Sequence, residues 1–449
     1  MIRHACCATL VLLFASSLHG APQDSLTPVV NAGEKLLQFD WPAVRIGTGE
    51  YEEGPTGVTV FHFPQHALAA VDVRGGGPGT VNTDWLRLGY DENALDTVVF
   101  SGGSWYGLEN VTAVATALKD DGLRSGDWTN VALSVGAIIY DFGGRRLNEI
   151  YPDKRLAQAA FRAARPGVFP LGAQGAGRFA MSGGLFGCNA YSGQGGAFRQ
   201  AGKLKIAAFV VVNALGVINT REGTVAACYR DAQWPSELRT SDLLHDYPAS
   251  REPGWNGRRN TTISLVVVNQ KMTPAELQRL AVQVHSSMGR AIQPFSTQFD
   301  GDVLYAVSTG EIEGTPQQPF ATLDVDVLAD EVMWDAILAS VPGQPAPAKA
   351  EAAAAGPDAR TLQRYRGDYV FSPDVTLRIS TAGGKLLAQA VGARNAYAIT
   401  REAPTELQPT APDAFSIPGR YPLRLQFTRG GELVINPGHW QQTGRRPRP

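Results

Sequence analysis

The chain predicts an α/β fold with a loop-rich β core, followed by a second, smaller all-β unit. Three observations carry this. Glycine and proline number 49 and 29 in 449 residues, more than a helical bundle accommodates. Apolar β-branched runs recur between glycine turns and alternate with a few helical patterns. An Ala/Pro-rich stretch, 342–357, then separates residues 21–341 from a tail, 358–449, of short alternating strands.

At 44% hydrophobic content the chain can bury more than one core. Lys+Arg 40 against Asp+Glu 42 leaves a formal charge of -2, and the absence of a basic block argues against nucleic acid as a partner. The basic tail 444–449 reads as solvated. Arg3 and His4 precede an apolar run at 8–15 and small residues up to Gly20 and Ala21, the layout of a signal peptide over 1–20 whose apolar part is too short to stay as an anchor. The expectation is a periplasmic or secreted protein without membrane association once the leader is removed. Cys6 and Cys7 would leave with it. Cys188 and Cys228 remain, either paired in an oxidising compartment or each a small buried hydrophobe.

Strands are expected around 44–47 and 57–61, then at Val71-Asp72-Val73, which enters the glycine loop Arg74-Gly75-Gly76-Gly77-Pro78-Gly79-Thr80. That loop lacks the Lys-Ser/Thr ending of a phosphate-binding loop, so it is read as close backbone packing. The run 97–100 reaches Ser101-Gly102-Gly103-Ser104 before a helix at 110–121. Ser104 is not a nucleophile elbow, because Tyr106 stands where the second glycine is required. A strand over 131–142 ends near Tyr140, a helix spans 153–164, the segment 172–196 is dense in glycine, and a strand at 204–212 ends at Asn213. Residues 231–257 are turn-rich. After the strand 261–268, Thr273-Pro274-Ala275-Glu276 opens a helix with a capping box, and Phe299-Asp300-Gly301-Asp302 leads into another strand. A last helix is expected at 324–341. His and Cys show no metal-ligand spacing, and no cofactor is expected.

The junction Asn260-Thr261 stands out, because a polar, glycine-containing segment stops there and the apolar run Thr261-Thr262-Ile263-Ser264-Leu265-Val266 begins. A threonine released as a new N-terminus carries a nucleophile and a base in one residue: the hydroxyl attacks and the α-amine, with an ordinary pKa of roughly 8, accepts the proton. Two plainer readings compete. Asn260-Thr261-Thr262, like Asn110-Val111-Thr112, matches an N-glycosylation acceptor, and turn-to-strand boundaries use Asn and Thr for ordinary reasons.

The motifs Arg74-Gly75-Gly76-x-Pro78-Gly79-Thr80, Ser101-Gly102-Gly103-Ser104-x-x-Gly107-Leu108, Gly175-Ala176-Gly177, Val212-Asn213, Asn260-Thr261-Thr262-Ile263 and Phe299-Asp300-Gly301-Asp302 occur in one order. In that order, over about 44–341, the chain resembles the P1 family of peptidases, which includes L-aminopeptidase/D-esterases, β-peptidyl aminopeptidases and nylon-oligomer hydrolases. The resemblance implies an αββα four-layer sandwich of the self-processing N-terminal-nucleophile type, cleaved at 260/261 into α and β chains that assemble into homo-oligomers. By the same resemblance Thr261 is the nucleophile, Asn213 helps hold the oxyanion, Asp300 and Asp302 orient or charge the nucleophilic residue, and Tyr140 is an active-site tyrosine. Most members carry Gly-Ser at the cleavage point, whereas Asn-Thr is similar to the nylon-oligomer hydrolases. Some members place a lysine near the nucleophile from the glycine-rich segment. Here none lies between Lys154 and Lys203, and Gly183, Gly184, Cys188 or Gln194 stands in its place.

The expected activity is hydrolysis of amide bonds next to a free amino group in a peptide or small amide. The rivals are an endo-acting amidase on 6-aminohexanoate-type oligomers and a non-catalytic binding protein that keeps the fold.

Overall fold

In a computed structural model of the chain, residues 23–88, 93–124, 128–229, 237–251, 260–314, 321–345, 357–417 and 423–447 are described. The leader expected over 1–20, most of the Ala/Pro stretch and the eight residues before Asn260 lie outside them.

The first unit is built on strands β1 (Arg45–Tyr51), β2 (Thr56–Val73), β3 (Ala94–Ser101), β4 (Ser134–Ile138), β5 (Gln194–Ala201), β6 (Leu204–Asn213), β7 (Thr261–Gln270) and β8 (Val303–Ile312). Its helices are α1 (Glu109–Asp120), α2 (Lys154–Arg162), α3 (Pro274–Ser287) and α4 (Ala321–Ala339). The eighteen-residue β2 organises them. Its second half pairs antiparallel with β8, and its first half pairs with β1 and β3, with a break in register between His62 and Ala67. One strand therefore joins the two halves of a continuous sheet, β5-β6-β7-β8-β2 on one side and β1-β2-β3-β4 on the other.

Side-chain alternation sets the layers. Ile263, Leu265 and Val267 of β7 pack with Phe61, Phe100, Phe209 and Tyr305 between the sheets. Val266 and Val268 face the other way, onto Leu277 and Leu280 of α3 and Val332 and Ile337 of α4. Across the molecule Val58, Val60 and Val99 turn outward onto Val111 and Val114 of α1 and Leu156 and Ala160 of α2. The result is the expected order of helix, sheet, sheet, helix. α3 begins with the expected capping box, Thr273 and Glu276 each satisfying the other's backbone amide.

The second unit has its own core, including Val375, Leu377, Phe415, Leu425 and Ile435. Eight strands follow one another as an antiparallel meander, β9 (Gly367–Ser372), β10 (Val375–Ala382), β11 (Lys385–Ala390), β12 (Thr405–Ala411), β13 (Ala414–Ile417), β14 (Leu423–Phe427), β15 (Leu433–Ile435) and β16 (Gln442–Gly444). Reciprocal bonds between Val370 and Arg445, at 2.8 and 3.0 Å, join its ends into a barrel.

Some expectations needed adjustment. The strand read over 131–142 shortens to Ser134–Ile138, and a six-residue helix, Thr240–His245, forms inside the turn-rich stretch. Asn110 is no surface acceptor for a glycan: it is fully buried and donates to Ser101 Oγ and the Pro152 carbonyl. Cys188 and Cys228 are bonded to each other. Among the described residues no helix is long and apolar enough to cross a membrane.

Candidate active site

Strand directions bring the distant motifs together. β6 ends where the antiparallel β7 begins, so Asn213 lies directly opposite Thr261. β8 runs parallel to β7, which puts the turn before it, Asp300-Gly301-Asp302, beside the same end. β2 is antiparallel to β8, and its exit loop therefore lies against that turn.

The glycine loop owes its sequence to this contact. Arg74 and Gly75 donate their amides to the Asp302 carbonyl and Gly77 donates to that of Asp300. A methyl group on Gly75 would collide with the Asp302 amide, and one on Gly76 with Gln298. Close backbone packing, as read from the sequence, is what this loop does.

Thr261 is 5% exposed and shares the parity of Ile263, so its side chain lies on the inter-sheet side. Its hydroxyl donates to the carbonyl oxygen of Asn260 at 2.5 Å. The same oxygen accepts the Gly301 amide at 2.8 Å, and the Asn260 amide donates to Phe299 at 3.0 Å. The peptide preceding Thr261 is thus clamped from the β8 side. Asn213 is held by both ends of its amide: Oδ1 accepts the Met181 amide at 3.0 Å, and Nδ2 donates to the Tyr140 carbonyl at 3.0 Å. One Nδ2 hydrogen is left over. It is the backbone of Tyr140 that makes this contact, while its half-exposed ring packs edge-on against Phe142.

Both carboxylates are buried and occupied by amides. Asp300 accepts from Leu215, from the Thr297 amide and from the Thr297 hydroxyl. Asp302 accepts from Thr262 at 2.6 Å and Ser296 at 3.0 Å. Neither is hydrogen-bonded to the Thr261 hydroxyl. Burial, with the Asp300 charge adding to it, pushes the Asp302 carboxyl up to about 8. Burial also raises Asp300, against the hydrogen bonds it accepts.

The positions considered for a lysine are filled otherwise. Gly183 has left-handed backbone (φ +76°), and a side chain there would run into Cys188 Cβ and Val217. Gln194 is buried, accepting from Thr59 and donating to Pro170. Ser104 opens a short 3-10 helix, Ser104–Leu108, with φ 51°. Met181, Leu215, Ser296 and Thr297 hold the named side chains, yet they do so mostly through backbone amides, which leave no mark in a sequence. Among the described residues no group of three His, Cys, Asp or Glu is arranged to hold a metal.

The second unit reaches this neighbourhood. Trp440 stacks on Tyr191 with ring centroids 4.0 Å apart, and Tyr191 is the ladder partner of Met181. Gln442 accepts the Leu147 amide and donates to the Arg145 carbonyl, just beyond Tyr140.

Comparison with known proteins places the chain in a family. The model of peptidase family S58 matches residues 39–344. A 6-aminohexanoate-oligomer endohydrolase of Paenarthrobacter ureafaciens is 43% identical over 321 residues, 70% of this chain and 88% of that protein. A Mycobacterium bovis protein named as an uncharacterized aminopeptidase is 31% identical over 276 residues, 58% of this chain and 75% of its own. A solved Burkholderia sp. beta-aminopeptidase overlaps with a TM-score of 0.49 at 18% identity, covering 69% of this chain and 88% of that one.

Proposed function

The chain belongs to peptidase family S58 and is a hydrolase of peptide or amide bonds, and on that premise we propose that it cuts itself between Asn260 and Thr261 and then works with Thr261 as an N-terminal nucleophile. The observation that carries this reading is the Thr261 hydroxyl, 2.5 Å from the carbonyl oxygen of the peptide it would break. Once released, the Thr261 amine takes the proton from its own hydroxyl as that oxygen attacks a substrate carbonyl. The spare Nδ2 hydrogen of Asn213, directly across the ladder, stabilises the oxyanion that forms, and water then frees the acyl group. The buried Asp300 and Asp302 hold the turn beside the new amine and, when ionised, favour its charged form.

Two substrate readings belong to this mechanism. One is removal of a residue with a free amino group, as in an aminopeptidase. The other is internal cleavage of ω-amino acid oligomers, and it is favoured by relatives at 43% identity named 6-aminohexanoate-oligomer endohydrolase. The leader read at 1–20 makes the enzyme exported, periplasmic or secreted, and the processed units assemble as homo-oligomers.

Purified wild type and Thr261→Ala are to be compared on aminoacyl, β-aminoacyl and 6-aminohexanoyl amides and on a 6-aminohexanoate oligomer. Wild type is expected to hydrolyse at least one of them and Thr261→Ala none. Equal turnover by the two proteins would refute Thr261 as the nucleophile. Internal fragments of the oligomer identify the endo mode, and single-unit release identifies the exo mode.

A further inference from the structure

We infer that the site uses two different oxyanion donors: the backbone N–H of Gly301 for self-cleavage, and Asn213 for substrate. This rests on the self-processing reading and deepens it. The scissile carbonyl of Asn260 already accepts the Gly301 amide at 2.8 Å, so a donor is in place on the oxygen that gains charge as the carbonyl is attacked. That carbonyl points from β7 towards the β8 side, where Gly301 lies, whereas Asn213 belongs to β6 on the opposite flank. Asn213 makes no hydrogen bond to the Asn260 carbonyl; its Oδ1 and one Nδ2 hydrogen are spent on Met181 and Tyr140.

The identity of residue 301 fits the role. A Cβ there would sit 2.8 Å from Thr261 Oγ and 2.8 Å from the Gly77 carbonyl oxygen, so only glycine lets the amide approach with the nucleophile still in place. The neighbouring acidic residues fix that amide in turn. Asp300 ties the turn to Thr297 and Leu215, and Asp302 ties it to Ser296 and to Thr262, the residue after the nucleophile. The donor is thereby preorganised before any charge develops.

The step balances within the chain. Thr261 Oγ turns about χ1 to face the Asn260 carbonyl carbon and bonds to it, and the carbonyl π pair moves to the oxygen held by Gly301. The C–N bond then breaks, its pair stays on the Thr261 nitrogen, and the hydroxyl proton ends on that nitrogen. An ester joins Asn260 to Thr261 Oγ beside a free amine. Water hydrolyses the ester to the Asn260 carboxylate and the Thr261 hydroxyl. With Asn260 gone, the incoming substrate carbonyl meets Asn213.

The test replaces Gly301 by glycolic acid in the full-length precursor, using cell-free translation with a tRNA charged with the hydroxy acid. This substitutes an ester oxygen for the N–H and adds no side chain. Self-cleavage, followed on denaturing gels, is expected to slow by roughly 10²–10³-fold, the usual loss for one oxyanion donor. Asn213→Ala is measured beside it and is expected to split within about tenfold of wild type, while hydrolysis of a 6-aminohexanoate oligomer falls by roughly 10²–10³-fold. An ester variant that splits at the wild-type rate overturns the assignment to Gly301, and an Asn213→Ala chain that loses self-cleavage and hydrolysis equally overturns the division of labour. The second comparison stands even where the ester variant fails to fold. A wild-type chain that never splits removes the self-processing reading itself.

Discussion

At Asp302 the folded protein keeps a proton that the unfolded chain has already released. An unfolded Asp titrates at roughly 3.9, whereas burial and the Asp300 charge raise the folded value to about 8. Between those values the folded state binds more protons than the unfolded one, so this contribution to stability is full below about pH 4 and is lost as pH rises towards 8. The expected outcome is a melting temperature that falls from pH 5 to pH 8 in a Thr261→Ala chain, which stays a single species. Adding Asp300→Asn removes the like charge, lowers the Asp302 carboxyl and makes that fall shallower. Scanning calorimetry across the pH range checks it, and parallel curves for the two proteins would contradict it. Thr261 is legible in the sequence as the head of an apolar run after a polar segment, whereas Asn213, Asp300 and Asp302 are legible only through the family resemblance. Gly301 was legible only as a family-motif glycine: its amide is one every residue but proline has, and its missing Cβ counts only once Thr261 lies beside it.

At the scale of elements, the site rests on the contact between the exit of β2 and the turn before β8. Gly75→Ala drives a methyl group into the Asp302 backbone and is expected to cost about 1–3 kcal/mol of stability. It should also slow self-cleavage, because the turn carries Gly301 next to Asp302; denaturant titration of the Thr261→Ala form and the splitting rate of the otherwise wild-type form measure the two effects. The Cys188–Cys228 bond closes a separation of 40 residues and secures the glycine-rich segment beneath Asn213. Replacing both cysteines by serine is expected to lower stability by about 2–4 kcal/mol, read by unfolding with and without reductant, with the variant insensitive to the reductant. β7 and α3 were readable from a β-branched run and a capping box. The shortened β4 and the helix at Thr240–His245 were not, since both are set by tertiary surroundings rather than by local pattern.

For the whole molecule, the sequence announced a second β unit but gave no sign of where it docks. Trp440 and Gln442 acquire meaning only against Tyr191, Arg145 and Leu147, which are hundreds of residues away. Trp440→Ala is expected to lose about 3 kcal/mol of stability from the stacked, nearly buried indole. It should also lower the rate of amide hydrolysis, because Tyr191 borders Met181 and Met181 holds Asn213; thermal melts and steady-state rates test the pair of effects. The four layers were implied by family resemblance and could not be read from periodicity alone, because the division of β2 between the two halves of the sheet depends on one register break at His62 and Ala67. The central proposal is one covalent event at the head of β7. The intact mass of the purified protein reports it: two polypeptides, the smaller beginning with Thr261, are expected from wild type and one from Thr261→Ala. A single uncut chain from fully folded wild type would contradict it.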